Sequence, residues 1–183
     1  MKASLKIAIP VLIVIVLGVL YISRDINIEK VPVQVQSPKI SVPEDFTADA
    51  KYTYQGTQIS GTKFTIPGSM ATGTNLSNDS YISLEQSISS STCSAGLFFT
   101  DTVQSQNIID NGVTYSFAST TGAGAGNRYE ETVYAFPNSN PCLAVRYFVH
   151  YSAFENYPKG SIKEFDKKAL QEKFDGIRRS VSY

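Results

Sequence analysis

The amino-acid sequence predicts an α+β fold, in which an antiparallel β-sheet carries a C-terminal helix packed on one face and follows a single N-terminal transmembrane helix. Short runs of alternating apolar and polar residues, broken by turn residues, follow one another from about residue 47, and this is the pattern of antiparallel strands. Apolar residues with helical spacing appear near the C-terminus, and a long uncharged apolar run appears near the N-terminus. Strands followed by one amphipathic helix favour a helix laid on a single sheet face.

The uncharged apolar run is IAIPVLIVIVLGVLYI, residues 7–22. As a helix it spans about 24 Å, close to a hydrocarbon core of about 30 Å. Two lysines precede it, so we expect residues 1–6 to be cytoplasmic and the remainder extracytoplasmic, with a single-pass anchor in the cell membrane. The alternative is a cleaved signal peptide and a secreted protein, but cleavage after Ser23 places the bulky Tyr21 where a small residue is required.

The segment after the run, residues 23–46, carries three prolines at near-regular spacing. Such spacing prevents a helix and favours an extended spacer. Within it, residues 31–36 (VPVQVQ) alternate and can form an edge strand at most. We therefore predict a stalk that holds a folded domain, residues 47–183, away from the membrane.

The domain contains seven runs with the composition of strands: 50–55, 62–67, 80–86, 96–100, 113–119, 128–136 and 142–151. Tyrosine and phenylalanine account for the whole aromatic content of 11%, and both residue types favour strands. Asn111-Gly112 predicts a type I′ hairpin turn, because both central residues of that turn need positive φ. The FPNSNPC segment has the composition of a turn, so the last two runs are expected to pair as a hairpin.

The last element is a helix over FDKKALQEKFDGIRRS, residues 165–180. Its apolar stripe consists of Leu170, Phe174 and Ile177, spaced so that all three lie on one helical face. Asp166 is a suitable N-cap for this helix, which can alternatively begin one turn earlier at a capping box.

The chain contains two cysteines, Cys93 and Cys142. In an oxidising compartment an isolated pair of cysteines most often forms a disulfide, so we expect the 92–96 segment to lie beside the start of the 142–151 strand. The alternative is two buried free thiols. Two thiolates alone are too few for a structural zinc site.

Two segments imitate ligand-binding loops. TTGAGAGNRYEETVYAF, residues 120–136, begins like a phosphate-binding loop, but strand-like residues follow the glycines where a helix N-terminus is needed. We therefore expect a connection between two strands and no cofactor. NLSNDSYISLEQ, residues 75–86, has Ser80 where a calcium loop has glycine and Gln86 where it has glutamate, so we expect no metal there.

The candidate binding residues lie on the last two predicted strands. His150 is the single histidine of the chain, and it shares a strand face with Arg146 because alternate residues point the same way. We interpret Arg146 and His150, with Arg128 or Glu130 from the neighbouring strand, as a polar binding groove. The alternative is a half-exposed face with cross-strand ion pairs. Glu130 and Glu131 are adjacent and therefore point to opposite faces, so they do not form a catalytic acid pair.

Sixteen basic and sixteen acidic residues cancel, which argues against nucleic-acid binding. Because the sequence shows no catalytic constellation, we expect a non-enzymatic binding or interaction module of the cell envelope, attached to the membrane by its N-terminal helix. Its expected partner is an envelope protein or a small ligand. The alternatives are a small envelope hydrolase that uses His150, and a pilin-like structural subunit, which the lack of an acidic residue in the apolar run disfavours.

The C-terminal third contains NPCLAVRYFVHY (140–151) and NYPKGSIKEFDKKALQEKFDGIRRS (156–180). Over roughly residues 126–180 it resembles small uncharacterised membrane-anchored proteins of bacterial envelopes. That resemblance implies an anchored envelope location and no particular activity. The order of strands and closing helix is also similar to PsbP/Mog1-like domains, which bind partners rather than catalyse, although no motif residues carry over.

Overall fold

The computed structural model describes residues 37–88 and 92–183. The predicted cytoplasmic residues 1–6, the predicted anchor at 7–22 and the first part of the predicted stalk lie outside the described residues. Within the described ranges, no helix is long and apolar enough to cross a membrane.

The described residues form one antiparallel sheet in the order β1-β2-β3-β7-β6-β5-β4. The strands are β1 (Thr47–Thr53), β2 (Ser60–Thr65), β3 (Tyr81–Ser87), β4 (Gln106–Asp110), β5 (Val113–Gly124), β6 (Asn127–Ala135) and β7 (Cys142–Ser152). A short helix α1 (Gly68–Ala71) lies between β2 and β3, and helix α2 (Lys167–Arg179) follows β7. The antiparallel sheet with a C-terminal helix is confirmed.

One predicted strand is wrong. Residues 96–100 do not form a strand, because Ala95–Phe98 is a 3₁₀ turn. The edge strand that pairs with β5 is Gln106–Asp110 instead. The GLFFT run is apolar because Phe98 is buried beneath this turn, whereas the edge strand β4 is largely exposed and has no apolar run to mark it. The other predicted strands are confirmed with their ends displaced by a few residues.

Both predicted hairpins are present. Asp110 pairs with Val113 across Asn111-Gly112, and these two residues have φ values of 50° and 78°, as a type I′ turn requires. β6 and β7 pair antiparallel along their lengths. The glycine-rich segment likewise connects two strands, since β5 extends to Gly124 and pairs directly with β6.

Helix α2 covers one sheet face, called here the helix face, which carries Leu143, Val145 and Tyr147 of β7. The three residues of the predicted stripe are buried against it. Asp166 accepts a hydrogen bond from the backbone N–H of Ala169 at 2.9 Å, so the predicted N-cap is confirmed and the earlier start is not used. The C-terminal end is tied to the sheet by Arg178, which binds Asp110 of β4.

The folded unit begins before the predicted boundary at residue 47. Ile40 and Val42 pack against the core on the helix face, and Phe46 is buried there. Lys39 pairs with Ser182 through two backbone hydrogen bonds of 2.8 and 3.0 Å. The compact unit therefore starts at Ser37, because alternate apolar residues of the predicted stalk bury themselves on the domain.

The opposite sheet face is crossed by residues 92–105, called here the strap. The crossing follows from the strand order, since the chain leaves β3 near the middle of the sheet and must reach β4 at the far edge. Small side chains of β5, β6 and β7 lie beneath it and allow a close approach: Ser116, Ala118, Ala135 and Ala144. A Cβ on Gly96 would lie 2.6 Å from the Val103 carbonyl oxygen, so the fold of the strap requires glycine there.

A disulfide between Cys93 and Cys142 joins the strap to the start of β7, with the Cα atoms 5.1 Å apart. The predicted bond and the predicted position of the 92–96 segment are both confirmed. Cys142 lies on the same face as Ala144 and Arg146, as strand alternation requires.

Replacing both cysteines with alanine is expected to lower the free energy of unfolding by about 3–4 kcal/mol in the chain-entropy description. The physical reason is that the bond joins residues 49 positions apart and so restricts the unfolded chain. Urea unfolding of the full chain measures the change. A reductant should destabilise the wild-type protein by a similar amount and leave the double variant unaffected, and equal stability of oxidised and reduced wild type would contradict the expectation.

Candidate functional site

The predicted site residues lie on two different faces of the sheet. Arg146 and His150 share the face that the strap crosses, called here the strap face. Arg128 pairs with Tyr151 and Glu130 pairs with Val149, so both point to the helix face. Neither Arg128 nor Glu130 therefore shares a face with Arg146 and His150, and the register contradicts the predicted groove.

The register of β6 against β7 decides this outcome. It places Tyr129 opposite His150 and Val133 opposite Arg146, so the acidic residue that shares the face of Arg146 is Glu131. The opposite orientation of Glu130 and Glu131 is confirmed, but the sequence does not indicate which of the two lies beside Arg146.

On the helix face, the two remaining predicted residues have structural contacts. Glu130 accepts hydrogen bonds from the Lys167 ammonium at 2.7 Å and from the Tyr151 hydroxyl at 2.9 Å. It thereby fastens the first turn of α2 to the sheet. Arg128 is exposed and donates to the backbone oxygen of Asn127.

Arg146 is the centre of a buried polar cluster on the strap face. Its side chain and that of Glu85 are fully buried, and they form two hydrogen bonds of 2.8 and 3.0 Å. Arg146 also donates to Glu131 and to the backbone oxygen of Phe98 in the strap. Its guanidinium lies 3.6 Å from the centroid of the Tyr54 ring.

The carboxylates keep this buried guanidinium charged. Burial alone lowers the pKa of Arg146, but the adjacent Glu85 and Glu131 outweigh burial and raise it. The Tyr54 hydroxyl donates to Glu131 at 2.9 Å, which fixes the position of that carboxylate. Sequence reasoning missed Glu85, although a charged residue in an otherwise strand-like run indicates a buried partner.

Beyond the cluster, the strap face carries a row of aromatic side chains that come from four strands: Tyr52, Tyr81, Phe148, Tyr129 and His150. The Tyr81 and Phe148 rings stack with centroids 4.9 Å apart. The hydroxyl groups of Tyr52 and Tyr81 are 2.8 Å apart. Burial raises the pKa of Tyr81 to about 12, so this phenol is neutral at physiological pH.

His150 ends the row and is held on two sides. Its ring stacks on Tyr129 with centroids 4.6 Å apart, and its Nδ1 atom lies 2.8 Å from an Asp79 oxygen. Desolvation acts to raise the pKa of Asp79, but hydrogen bonds with Ser77 and His150 outweigh it and lower the pKa. The Nε2 atom of His150 is buried and has no hydrogen-bond partner in the described part of the chain.

A cavity of about 320 Å³ opens between the strap and the strap face. Its lining residues are Tyr54, Gln55, Phe99, Thr100, Asp101, Val103, Thr120, Thr121, Gly122, Tyr129 and Glu131. Gly122 of β5 pairs with Tyr129, and the missing side chain leaves space beside the tyrosine ring. The Glu131 side chain is 14% exposed and contributes an ionisable group to the wall.

Comparison of the chain with protein-family models, with curated proteins and with solved structures finds no match. Across residues 37–88 and 92–183, no group of three or more His, Cys, Asp or Glu side chains is placed to hold a metal ion. The site is therefore interpreted from its own chemistry, namely aromatic rings and carboxylates around a concave space.

Replacing Arg146 with methionine is expected to lower the free energy of unfolding by about 3–5 kcal/mol, because it leaves the buried Glu85 without a counter-charge. Urea unfolding of the full chain measures the loss. The double variant Arg146→Met/Glu85→Met is expected to recover part of it, since a pair of apolar residues needs no counter-charge. Arg128→Met, at an exposed position, is the control, and equal losses for Arg128→Met and Arg146→Met would contradict the expectation.

Proposed function

We propose that this protein is a non-enzymatic binding module of the cell envelope. In this proposal the N-terminal helix anchors it in the membrane, and the extracytoplasmic domain binds a small ligand in the cavity beneath the strap. The observation that carries the proposal is that cavity, in which aromatic rings and two carboxylates surround a space of about 320 Å³. Ligand sites in proteins have this size and this mixture of apolar walls and a few placed polar groups.

The extracytoplasmic location is supported by two independent features. The Cys93–Cys142 disulfide is typical of proteins that mature in an oxidising compartment. The apolar run at 7–22, with lysines before it and none within it, has the composition of a membrane anchor with a cytoplasmic N-terminus.

Binding is favoured over catalysis because the two fully buried charged groups beside the cavity are engaged with each other. Glu85 and Arg146 are fully buried in mutual hydrogen bonds, so neither is available to exchange protons with a substrate. A hydrolase that uses His150 needs a nucleophile beside Nε2, and no described group hydrogen-bonds to that buried atom. The same fixed geometry is an advantage for a binding site, since little ordering remains to be done when a ligand arrives.

The location is tested with reporters fused at the C-terminus of the full chain. A reporter that is active only in the cytoplasm is expected to be silent, and one that is active only outside it is expected to be active, because the positive-inside rule exports the domain. Activity of the cytoplasmic reporter would refute the proposed location.

The binding site is tested by filling the cavity with Gly122→Val. Valine suits a strand, and a Cβ at this position meets only ordinary contacts, the nearest being the Tyr129 Cβ at 3.8 Å. The full chain in non-ionic detergent is screened by thermal shift against amino acids, monosaccharides, organic acids and alkylamines. Any compound that stabilises the wild type should fail to stabilise Gly122→Val.

The matched control is Gly124→Val, two residues further along the same face of β5, where a Cβ has no atom within 4 Å. This variant is expected to bind like the wild type. A compound that stabilises both glycine variants equally binds elsewhere, and that result, or the absence of any stabilising compound, counts against the proposed site.

A further inference from the structure

Each sheet face buries an arginine between two carboxylates, but the two clusters differ in net charge. On the helix face, Arg178 binds Asp110 and Asp175, and the adjacent Arg179 also binds Asp110. Two cations therefore balance two anions. The result is visible at Asp110, whose pKa is lowered to about 2 chiefly by the hydrogen bonds from Arg179 and Arg178.

The cluster on the strap face lacks the second cation. Arg146 is bound by Glu85 and Glu131, and within residues 37–88 and 92–183 no other basic side chain forms an ion pair with either glutamate. Lys63, on the same face, lies over aromatic rings instead, with its ammonium 5.6 and 5.7 Å from the ring centroids of Tyr52 and Tyr81. One cation and two carboxylates leave a net charge of −1 in a largely buried location.

Glu131 has the smaller share of this single cation. Glu85 occupies the Nε and one Nη group of Arg146 in a two-point contact, whereas Glu131 receives a single Nη group and the Tyr54 hydroxyl. Glu131 is also the member of the cluster that lines the cavity. Because one guanidinium serves two carboxylates in a largely buried site, a positive group in the cavity would interact favourably with Glu131.

The aromatic walls of the cavity also favour a positively charged ligand. Tyr54, Phe99 and Tyr129 line it, and aromatic rings attract cations through the negative potential of their faces. Burial raises the pKa of Tyr54, so the phenol keeps its proton and acts as a neutral ring. Asp101 of the strap supplies a second carboxylate, and the lining residues in the described part of the chain include no lysine, arginine or histidine.

From these observations we propose that the cavity binds an ammonium group, either primary or quaternary, between its aromatic walls and the Glu131 carboxylate. The inference rests on the proposed function, since it takes the cavity as the ligand site and names the class of ligand. A neutral sugar could use the same rings, but it would bring no positive charge to the Glu131 carboxylate. The ammonium group can belong to a free small molecule or to a phospholipid headgroup, because the recognised chemistry is the same.

The test compares a cation with a neutral molecule of the same shape. The full chain, isotope-labelled and held in non-ionic detergent, is titrated by NMR with choline, with ethanolamine and with 3,3-dimethylbutan-1-ol, the uncharged isostere of choline. Choline or ethanolamine is expected to shift the amide signals of Gly122, Tyr129 and Glu131. The isostere should bind at least about tenfold more weakly, since it lacks the charge that the rings and carboxylate attract.

Variants assign the effect to Glu131. Glu131→Gln retains an oxygen that can accept from Tyr54 and Arg146, and we expect it to weaken the binding of the cation by about tenfold or more. Glu130→Gln is the matched control, because it makes the same change of charge at the adjacent residue, which points to the helix face. It should leave cation binding unchanged. Thermal unfolding of both variants shows that each is folded.

Titrations in lipid nanodiscs distinguish the two sources of the ammonium group. The full chain in nanodiscs of phosphatidylglycerol is titrated with choline, and the titration is repeated with phosphatidylethanolamine present. Competition by phosphatidylethanolamine identifies the lipid headgroup as the source, and choline binding without competition identifies a free cation. Either result supports the ammonium site, provided that Gly122→Val abolishes the binding.

Three results overturn the inference. If the neutral isostere binds as tightly as choline, or if Glu131→Gln and Glu130→Gln bind equally, charge is not what the cavity recognises. If a neutral saccharide alone binds in a manner sensitive to Gly122→Val, the proposed binding site stands and the ammonium class is wrong. If no cation binds even at low ionic strength, where the attraction is strongest, the ammonium site does not exist.

Discussion

The burial of a guanidinium at the centre of the strap face constrains the parts of the domain around it. Arg146 lies on the central strand β7, and its carboxylate partners come from the strands on either side, Glu85 from β3 and Glu131 from β6. The carbonyl of Phe98 brings the strap onto the same group. A buried charge is tolerated when it is paired and hydrogen-bonded. The need to pair Arg146 therefore constrains the register of β3, β7 and β6 and the distance of the strap from the sheet.

The parts of the fold that the sequence predicts are those whose signals are local. The Asn111-Gly112 turn needs two adjacent residues, and α2 needs an N-cap and three apolar residues within three turns. The strap could not be predicted in the same way. Its GLFFT run has strand composition, and whether such a run is extended depends on the crossing from β3 to β4, which the strand order imposes and no local pattern records.

The site was predicted in part for a related reason. Alternation along one strand places Arg146 and His150 on a common face, but it gives no information about the neighbouring strand, whose parity depends on the exact length and shape of the β6–β7 loop. A shift of one residue exchanges Glu130 for Glu131. Glu85 lies 61 residues from Arg146 in the sequence, so no local pattern connects the two. The signal that the sequence does contain is an arginine within an otherwise apolar strand, because a buried arginine needs an acidic partner.

The strap also connects the cavity to the disulfide bond. It forms one wall of the cavity, and the Cys93–Cys142 bond holds its first residues against β7. The strands beneath it are joined by their own backbone hydrogen bonds, so the disulfide acts on the position of the strap rather than on the pairing of the sheet. Under the proposed binding function, this one covalent bond would decide how firmly that wall of the cavity is held, and its reduction would loosen the site while the hydrogen bonds of the sheet remain.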